Sequence, residues 1–458
     1  MSNQTTPSRQ LAEWCAALSW DQIPDDARNL LALRLLDTAG LIVVGTRTEA
    51  VGVALEFVGS NEGHAQSTIC GYPSRVSASS AALVHGVAAH CRDYDDTFME
   101  SVVHPGSVVI PVALALAEAG DTTDEAFAIA IIAGYEIAAR IGAVAGRRLH
   151  ARNLHPTGIV GPIAAAATAA RLLDLTAEQT SWAMGLAASM SGGLRAFAVD
   201  GGWSKWLHAG WAAHGGMAAA QMAVRGFRGP EHVLDGGYDL YSALLHGETI
   251  DRSFLTAGLG SVWQGNEAQF KYYPCAHVIQ PYIDAYLSIA GEFDLQSSDI
   301  AAIDCTIAPW AASIVCEPRA DKLCPDTELA AIGSLPYQIA VAAMDRKVGL
   351  SALDVTIRER ADIRELATRI VHRVDETLGQ AFDGEICVRT ADGARHVKKA
   401  VAGAVDPDKV KQKFIDNVGP VLGTDQAIAE AISVCEDAGL SWRWAVELFL
   451  NAGRGDGN

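Results

Sequence analysis

The sequence contains neither the features of a membrane protein nor those of a nucleic-acid binder. No uninterrupted apolar run reaches the roughly 18 to 20 residues of a membrane span, and the first residues, MSNQTTPSRQLAEW, lack the basic-then-apolar order of a signal peptide. The chain also has no run of lysine and arginine residues. It contains 35 basic and 54 acidic residues, for a net charge of −19. A basic face for a phosphate backbone is therefore not expected. We expect a soluble, cytoplasmic protein without a membrane or nucleic-acid partner.

Cysteine patterns and common catalytic motifs are also missing. The nine cysteines are scattered and odd in number, without a Cys-x-x-Cys pair, so we expect them reduced and mostly buried rather than in a disulfide framework or a zinc site. There is no Gly-x-Ser-x-Gly elbow, His-Glu-x-x-His motif, Walker-type loop or Gly-x-Gly-x-x-Gly leading out of a strand. An acidic group at residues 93–96 could hold a divalent metal, but it lacks calcium-loop spacing. We expect no metal.

The chain consists of two regions with different sequence patterns. From about residue 8 to 262, alanine- and leucine-rich segments repeat at helical period and strand signals are nearly absent. After about residue 265, DIAAIDCTIAPWAA and GEICVRTADGARHVKKAVAG alternate apolar and polar residues, with Asp392-Gly393 as a hairpin signal, while SLPYQIAVAAMDR and ADIRELATRIVHRV indicate helices. The sequence therefore predicts a mostly α protein. Residues 1–265 and 403–458 form a large all-helical domain, and residues 266–402 form an inserted, smaller α+β domain.

The most polar segment of the helical part is HCRDYDDTFMESVVHPG, residues 90–106. It follows VSASSAALVHGVAAH, which predicts a helix of small residues. If that helix continues, Asp93, Asp96 and Thr97 share one face at spacings of three and four. Two interpretations stay open, namely a solvated acidic helix end and a polar site where helix meets loop.

His-Pro occurs twice just before an alanine-rich helix, in HPGSVVIPVALALAEAG from His104 and in HPTGIVGPIAAAATAARLL from His155. Unpaired backbone N–H groups and the positive dipole end favour anions there, and they favour a neutral imidazole that can act as a base. A histidine that only packs at a helix start is the plainer alternative. The acidic segment beside His104 favours the functional interpretation.

Three further segments supply cations and a hydroxyl. SMSGGLRAFAVDGGWSKWLHAGWAAHGG places Arg195 and Lys205 among glycines, where backbone can approach a ligand. Lys205 lies between tryptophans and needs a partner such as a substrate carboxylate, unless its stem packs on them with its head in water. FKYYPCAH contributes Lys271 and His277, and GSLPYQIA contributes Tyr337.

Together these segments make the chain resemble the MmgE/PrpD family, which includes 2-methylcitrate dehydratase, cis-aconitate decarboxylase and iminodisuccinate epimerase. The resemblance runs nearly end to end and rests on DYDDT with the following HPG, GYE, LHPTGIVG, SGGLRAF, DGGWSKWLHAGWAAHGG, GFRGP, KYYPCAH, SLPY and DPDKVKQKF. It implies a helical domain with an α+β lid, a homodimer, and a substrate pocket between the domains that uses no metal or organic cofactor.

The resemblance also implies site residues. Active-site roles fall on the set Asp93, Thr97, His104, His155 and Tyr337, and substrate contacts on Lys205 and Lys271, to which the residues themselves add His277 and Arg195. The chain departs from many relatives at Gln280, where they carry a histidine, and KYYPCAH lacks the residues typical of methylcitrate dehydratases after its proline. Methylcitrate is therefore not implied as the substrate.

The chemistry common to dehydration, decarboxylation and epimerisation is proton transfer at a carbon next to a carboxylate. We expect Lys205 and Lys271, with Arg195, to bind carboxylates. We expect His104 to transfer the proton, Asp93 to orient it or hold the acid form, and Thr97 to hydrogen-bond beside them. His155 is expected to act as the acid on the opposite face or to bind a second carboxylate. The leading hypothesis is a cofactor-independent lyase of the dehydratase or decarboxylase type that acts on a small di- or tricarboxylate. The alternatives are an epimerase of a dicarboxylate such as iminodisuccinate and a non-catalytic carboxylate-binding protein.

Overall fold

The computed structural model describes residues 6–60, 63–436 and 440–453. The chain divides into two compact units, the first made of Met1–Phe270 with Pro407–Asn458 and the second of Lys271–Asp406. The first unit is built from helices and the second combines helices with a four-stranded sheet. The prediction of a mostly α chain with a smaller α+β part is confirmed.

Helices form nearly all of the regular structure in the first unit, with the sole strand pair of its described residues, β1 (Thr97–Phe98) and β2 (Ala268–Gln269), antiparallel. The helices are α1 (Pro7–Ala17), α2 (Asp25–Gly45), α3 (Glu49–Gly59), α4 (Ala78–His90), α5 (Gly106–Gly120), α6 (Asp124–Ala145), α7 (Arg148–Ala151), α8 (Pro156–Leu172), α9 (Ala177–Ser189), α10 (Phe197–Asp200), α11 (Ser204–Ala223), α12 (Leu240–Leu244), α20 (Pro407–Leu422), α21 (Thr424–Glu436) and α22 (Trp442–Ala452). The core helices are α2, α4, α5, α6, α8 and α11, which are rich in alanine, glycine and branched apolar residues.

The contact between α4 and α11 depends on glycine. A Cβ atom built on Gly86 of α4 lies 2.7 Å from the Cα atom of Gly210 of α11, and one built on Gly210 lies 2.4 Å from the carbonyl oxygen of Leu83. Any side chain at either position would push the two backbones apart. This close approach brings the C-terminus of α4 beside the N-terminus of α11.

The segment between α4 and α5 is a strained loop. The helix ends at His90, and Asp93 then adopts a positive φ of 47°. Val102, a β-branched residue, has a φ of 60°, a conformation that such residues rarely adopt and that other contacts must stabilise. The expectation that α4 continues far enough to put Asp93, Asp96 and Thr97 on one helical face is therefore wrong. A turn that reverses the chain after His90 arranges these residues instead.

The second unit contains a mixed sheet of β3 (Ile300–Ile307), β4 (Ile370–Val374), β5 (Gly384–Thr390) and β6 (Arg395–Ala400), in the order β4-β3-β5-β6. β3 is parallel to β4 and antiparallel to β5, and β5 and β6 form an antiparallel hairpin. Its turn contains Gly393 at a φ of 91°, so the predicted hairpin at Asp392-Gly393 is confirmed. The elements are α13 (Gln280–Glu292), β3 (Ile300–Ile307), α14 (Pro309–Val315), α15 (Arg319–Leu323), α16 (Glu328–Ile332), α17 (Leu335–Asp345), α18 (Val355–Arg358), α19 (Ala361–Thr368), β4 (Ile370–Val374), β5 (Gly384–Thr390) and β6 (Arg395–Ala400).

One helix prediction in this unit is half wrong. The segment ADIRELATRIVHRV is helical only as far as Thr368, and Ile370–Val374 is the strand β4. Its residues Ile370, Val371 and Val374 are β-branched, and Ile370 pairs with Ile303 in the parallel ladder. Tertiary pairing with β3 thus overrides a helical period that only a few residues support.

Burial answers two further questions about the sequence. Among the described residues, Asp124–Ala145 alone has the length and apolar composition of a membrane span, and 94% of its most apolar window is buried. That burial is typical of a core helix. Seven of the nine cysteines are buried and none forms a disulfide, as the sequence predicts.

Candidate active site

The three aspartates of the loop between α4 and α5 have different partners. Asp93 forms an ion pair with Lys205, and Asp95 accepts from Nδ1 of His90 at 2.8 Å. Asp96 accepts from the Tyr135 hydroxyl at 2.7 Å and from the backbone N–H of Gly106 at 2.8 Å. All three aspartates are buried. The interpretation of this segment as a solvated acidic helix end is therefore wrong.

Asp96 ties the loop to the start of α5. A Cβ atom built on Gly106 lies 2.7 Å from an Asp96 carboxylate oxygen, so glycine permits this close approach. Burial raises the pKa of Asp96, while the charge of Arg34 and the hydrogen bonds from Tyr135 and Gly106 offset part of that effect. Asp96 thus fixes the backbone from which the neighbouring site residues extend.

His104 is held by the loop through its Nδ1 atom. That nitrogen lies 2.9 Å from the carbonyl oxygen of Asp96 and 3.2 Å from the hydroxyl oxygen of Thr97. Because a carbonyl oxygen only accepts, Nδ1 carries the hydrogen and donates it. In the neutral ring the lone pair is consequently on Nε2. A carboxylate oxygen of Asp95, 3.8 Å from Nδ1, stabilises the positive charge when Nε2 is also protonated.

His90 is the last residue of α4 and is completely buried. Its Nδ1 atom faces both carboxylate oxygens of Asp95, at 2.8 and 3.0 Å. Its ring centroid is 4.8 Å from that of His104 and 5.5 Å from that of His155. His90 and Asp95 therefore form a buried pair directly behind His104.

His155 is the N-cap residue of α8, and its Nδ1 atom lies 3.0 Å from Nδ1 of His208 on α11. One of these two nitrogens donates and the other accepts. Burial holds the pKa of His155 well below its usual value, and electrostatic interactions with the nearby His90 and Lys205 lower it further. Burial also lowers the pKa of His208, to about 4. Both rings are neutral at pH 7, as expected for an imidazole at a helix N-terminus. We call His90, His104, His155 and His208 the histidine cluster.

Lys205 enters the site from the first turn of α11. It is buried, and its ammonium group forms an ion pair with Asp93. Lys205 and His208 are three residues apart, so they share one face of the helix. An ammonium group has three N–H donors, and a carboxylate ligand can therefore bind to Lys205 while the contact with Asp93 is kept.

Arg195 lies in the loop before α10. Its guanidinium donates to the carbonyl oxygen of His150 at 3.2 Å. The pKa of the His150 ring is lowered to about 3, first by burial and then by the charges of Arg195, Lys205 and Arg147. Three cationic side chains thus lie near this ring, and their combined positive charge attracts an anionic ligand.

The remaining predicted residues belong to the second unit. Lys271 is buried, His277 packs edge-on against Phe382 with ring centroids 5.9 Å apart, and the Tyr337 hydroxyl donates to the carbonyl oxygen of Ala352 at 2.6 Å. Burial raises the pKa of Tyr337, so its hydroxyl stays protonated. The roles assigned to these three residues stay predictions.

Gln280, which replaces the histidine of many relatives, has a structural role. Its side-chain oxygen accepts from the backbone N–H groups of Tyr272 and Tyr273 at 2.9 and 3.0 Å. Its amide nitrogen donates to the carbonyl oxygens of Tyr273 and Cys275 at 2.7 and 3.3 Å. The side chain therefore holds the KYYPC turn in place.

Sequence reasoning did not assign His90, Asp95 and His208 to the site. His208 carried a usable signal, since it lies one helical turn after Lys205 on the predicted helix. His90 and Asp95 had almost no signal in the sequence, because their pairing depends on the turn that follows α4. Asp93 and Lys205 are 112 positions apart, so their ion pair has no local signature.

Comparison with curated proteins finds similar chains, among them several named cis-aconitate decarboxylase. The human protein is 33% identical over 210 residues, which cover 44% of this chain and 42% of the human one. The mouse protein is 25% identical over 421 residues, covering 88% of this chain and 84% of its own. The Aspergillus terreus protein is 25% identical over 390 residues, covering 81% and 79%. The match to the human protein thus spans less than half of that protein's length.

Two family models match in sequence order. The MmgE/PrpD N-terminal domain matches residues 9–253, and the MmgE/PrpD C-terminal domain matches residues 273–437. The first match contains all four residues of the histidine cluster. The second begins at Tyr273, two residues after Lys271, and contains His277 and Tyr337. Since the two matches together cover most of the chain, it belongs to the MmgE/PrpD family.

Proposed function

We propose that this chain is a lyase that removes carbon dioxide or water from a small tricarboxylate, with cis-aconitate as the first substrate to test. Relatives that match most of this chain are named cis-aconitate decarboxylase. The observation that carries the proposal is the orientation of His104, whose Nδ1–H donates to the carbonyl oxygen of Asp96. Its Nε2 atom is thereby fixed as the atom that exchanges a proton with the substrate.

Decarboxylation of a β,γ-unsaturated acid needs a proton donor at carbon. The bond to the departing carboxylate breaks, its electron pair forms a new C=C bond, and the former π electrons take a proton. We propose that Nε2–H of protonated His104 supplies this proton and that water restores it after product release. Asp95, 3.8 Å from Nδ1, stabilises the charged ring before the transfer. Thr97 holds the ring from the same side.

In this proposal, cations and a neutral histidine bind the carboxylates that remain on the substrate. We propose that Lys205 contacts one carboxylate and stabilises the negative charge that develops during the reaction. Arg195, close enough to lower the pKa of His150 by its charge, contributes to the same attraction. When His155 accepts from His208 at Nδ1, its Nε2 atom carries a hydrogen and can donate to a second carboxylate. Lys271 and His277 stay candidate contacts, and no metal or organic cofactor enters this scheme.

Proton NMR in deuterium oxide tests the proposal on EDTA-treated protein. The panel contains cis-aconitate, citrate, 2-methylcitrate, malate, tartrate and iminodisuccinate stereoisomers. We expect loss of the cis-aconitate signals and growth of an alkene product that carries one new deuterium on carbon. Deuterium exchange or a new diastereomer without loss of carbon dioxide or water would indicate an epimerase instead. Binding without any spectral change would indicate a non-catalytic carboxylate-binding protein.

We also propose that the chain forms a homodimer. Trp203, the N-cap residue of α11, is followed at four-residue spacing by Leu207 and Trp211, and the three side chains are 41%, 46% and 50% exposed. Large apolar side chains aligned on one helical face are typical of a surface that another protein covers. Light scattering coupled to gel filtration tests this. We expect twice the chain mass, and Trp211→Glu should shift it towards the mass of one chain, whereas a monomeric parent protein contradicts the proposal.

A further inference from the structure

Two buried ring nitrogens of the histidine cluster have no hydrogen-bond partner among the residues that the structure describes. They are Nε2 of His90 and Nε2 of His155. The two rings are stacked at 5.5 Å with an angle of 19° between their planes. A buried polar atom without a partner costs about 1–3 kcal/mol, so two of them side by side suggest that a ligand belongs there.

The chemistry of these atoms limits the ligand. Nδ1 of His90 faces the Asp95 carboxylate and Nδ1 of His104 faces a carbonyl oxygen, so in the neutral rings both lone pairs are on Nε2. Nε2 of His155 carries a lone pair as well when its Nδ1–H donates to His208. The lone pairs of His90 and His155 then need an electron-pair acceptor, which a carboxylate cannot be, and His104 offers a third nitrogen ligand beside them. Imidazole nitrogens are good ligands for zinc, nickel and copper ions.

The geometry suits a metal ion. One nitrogen from each of His90, His104 and His155 lies within 4.8 Å of the others. A tetrahedral zinc ion with bonds of about 2.1 Å holds its ligands roughly 3.4 Å apart, so small rotations of the rings suffice. The carboxylate of Asp95 behind His90 is the partner that zinc-binding histidines commonly have. Three histidines leave a fourth position open for water.

We propose that His90, His104 and His155 form a binding site for a divalent transition-metal ion such as Zn²⁺ and that the bound ion inhibits the enzyme. Asp93 and Asp95 lie near these histidines, but ion pairing engages Asp93 with Lys205 and Asp95 with His90. The metal occupies the lone pair of His104 Nε2 and requires the His155 tautomer opposite to the one that donates to a carboxylate. Metal and substrate therefore exclude one another. The inhibition rests on the proposed function, whereas the binding does not.

Metal titration tests the binding without any activity assay. Metal-stripped protein is titrated with Zn²⁺ in competition with a chromogenic chelator, and separately with Co²⁺ while the visible spectrum is followed. We expect one ion per chain and the intense visible bands of four-coordinate Co²⁺. His90→Gln should weaken Zn²⁺ binding more than about tenfold, and Asp95→Asn should weaken it about 10–100-fold. The matched control His64→Gln, at an exposed histidine, should leave the affinity unchanged.

Equal affinity in the parent and His90→Gln proteins would overturn the proposal, as would the weak spectrum of six-coordinate Co²⁺. The Co²⁺ spectrum is measured on the parent protein, so it decides even where a variant fails to fold. Zn²⁺ added to the turnover assay should inhibit over the concentrations at which it binds, and activation would overturn the inhibitory part. If Zn²⁺ binds but metal-free protein turns over no acid, the proposed function fails while the metal site stands.

Discussion

Two buried polar regions of the first unit differ in how completely their polar groups are hydrogen-bonded. Around Arg140, hydrogen bonding is extensive, since its guanidinium donates to Glu136 at 2.6 Å and Glu136 accepts from the backbone N–H of Gly265 at 2.7 Å. The same guanidinium donates to the backbone carbonyls of Phe254, Leu255, Ala257 and Val262. In the histidine cluster, by contrast, His90 and His155 each have a ring nitrogen without a partner among the described residues.

This difference indicates a structural role for the Arg140 region and a functional role for the histidine cluster. The Arg140 network ties α6 to the segment 254–265 through hydrogen bonds to its backbone. The histidine cluster keeps acceptors and an ion pair in a buried place at a cost in stability, which is expected where a ligand completes the hydrogen bonding. Substitutions around Arg140 should therefore lower stability, whereas substitutions in the histidine cluster should lower activity.

The largest effect is expected at His104. His104→Ala removes the proposed proton donor, and turnover of the substrate found by NMR should fall by about 10²–10⁴-fold. The melting temperature should change little, because Asp96 also holds this loop through Tyr135 and Gly106. Steady-state kinetics and thermal melts measure both quantities. His246→Ala, at an exposed histidine, is the control, and normal turnover in well-folded His104→Ala would refute the assignment.

Arg140→Met should have the next largest effect, on stability. It leaves Glu136 buried without its partner, and breaking such a pair costs about 3–5 kcal/mol. Burial already raises the pKa of Glu136, and Arg140 opposes that shift. Urea unfolding measures the loss. The control Arg443→Met breaks an exposed pair with Asp121 and should change stability by less than about 1 kcal/mol. Equal losses in both variants would abolish the distinction between the regions.

The sequence predicted the framework of both regions better than their contacts. Helical periodicity in DEAFAIAIIAGYEIAARIGAVAG places Glu136 and Arg140 one turn apart on a helix, so their pairing follows from spacing alone. The His-Pro pairs likewise place His104 and His155 at the starts of α5 and α8. Local patterns are enough where the partners are four residues apart or where a proline marks a helix start.

The contacts that complete the candidate site are long-range and were not predictable in this way. The pairing of Lys205 with Asp93 depends on the approach of α4 and α11 at Gly86 and Gly210. The turn after His90 contains a left-handed aspartate, which no periodic pattern indicates. The strand β4 was missed for a similar reason, since its partner β3 is far away in sequence. Tertiary structure decided these features.

Acid titration should reveal how much His85, a buried histidine outside the histidine cluster, contributes to the pH dependence of stability. His85 accepts from the backbone N–H of Cys70 at 3.1 Å, and burial lowers its pKa to about 3. Below pH 6.5 the unfolded chain binds a proton that the folded chain does not, so stability is lost as the pH falls towards 3, by about 1.4 kcal/mol per pH unit for this group. His155 and His208, with lowered pKa values, act in the same direction.

Melting temperatures between pH 7 and pH 4 measure this loss. His85→Gln should flatten the curve because the titrating group is removed and the amide oxygen can still accept from Cys70. Activity at pH 7 should persist in this variant, since His85 lies outside the histidine cluster. An unchanged slope would show that other groups dominate the acid response.

The smallest effect is expected from His155→Leu on stability. The substitution removes a buried nitrogen that costs about 1–3 kcal/mol and also the hydrogen bond to His208, worth about 0.5–1.5 kcal/mol. His208 is only half-buried, so water can replace the lost partner. Urea unfolding should therefore give a stability within about 1 kcal/mol of the parent or slightly above it, while turnover is lost. A loss as large as that of Arg140→Met would place His155 among the structural residues, and the contrast between the two buried regions would fail.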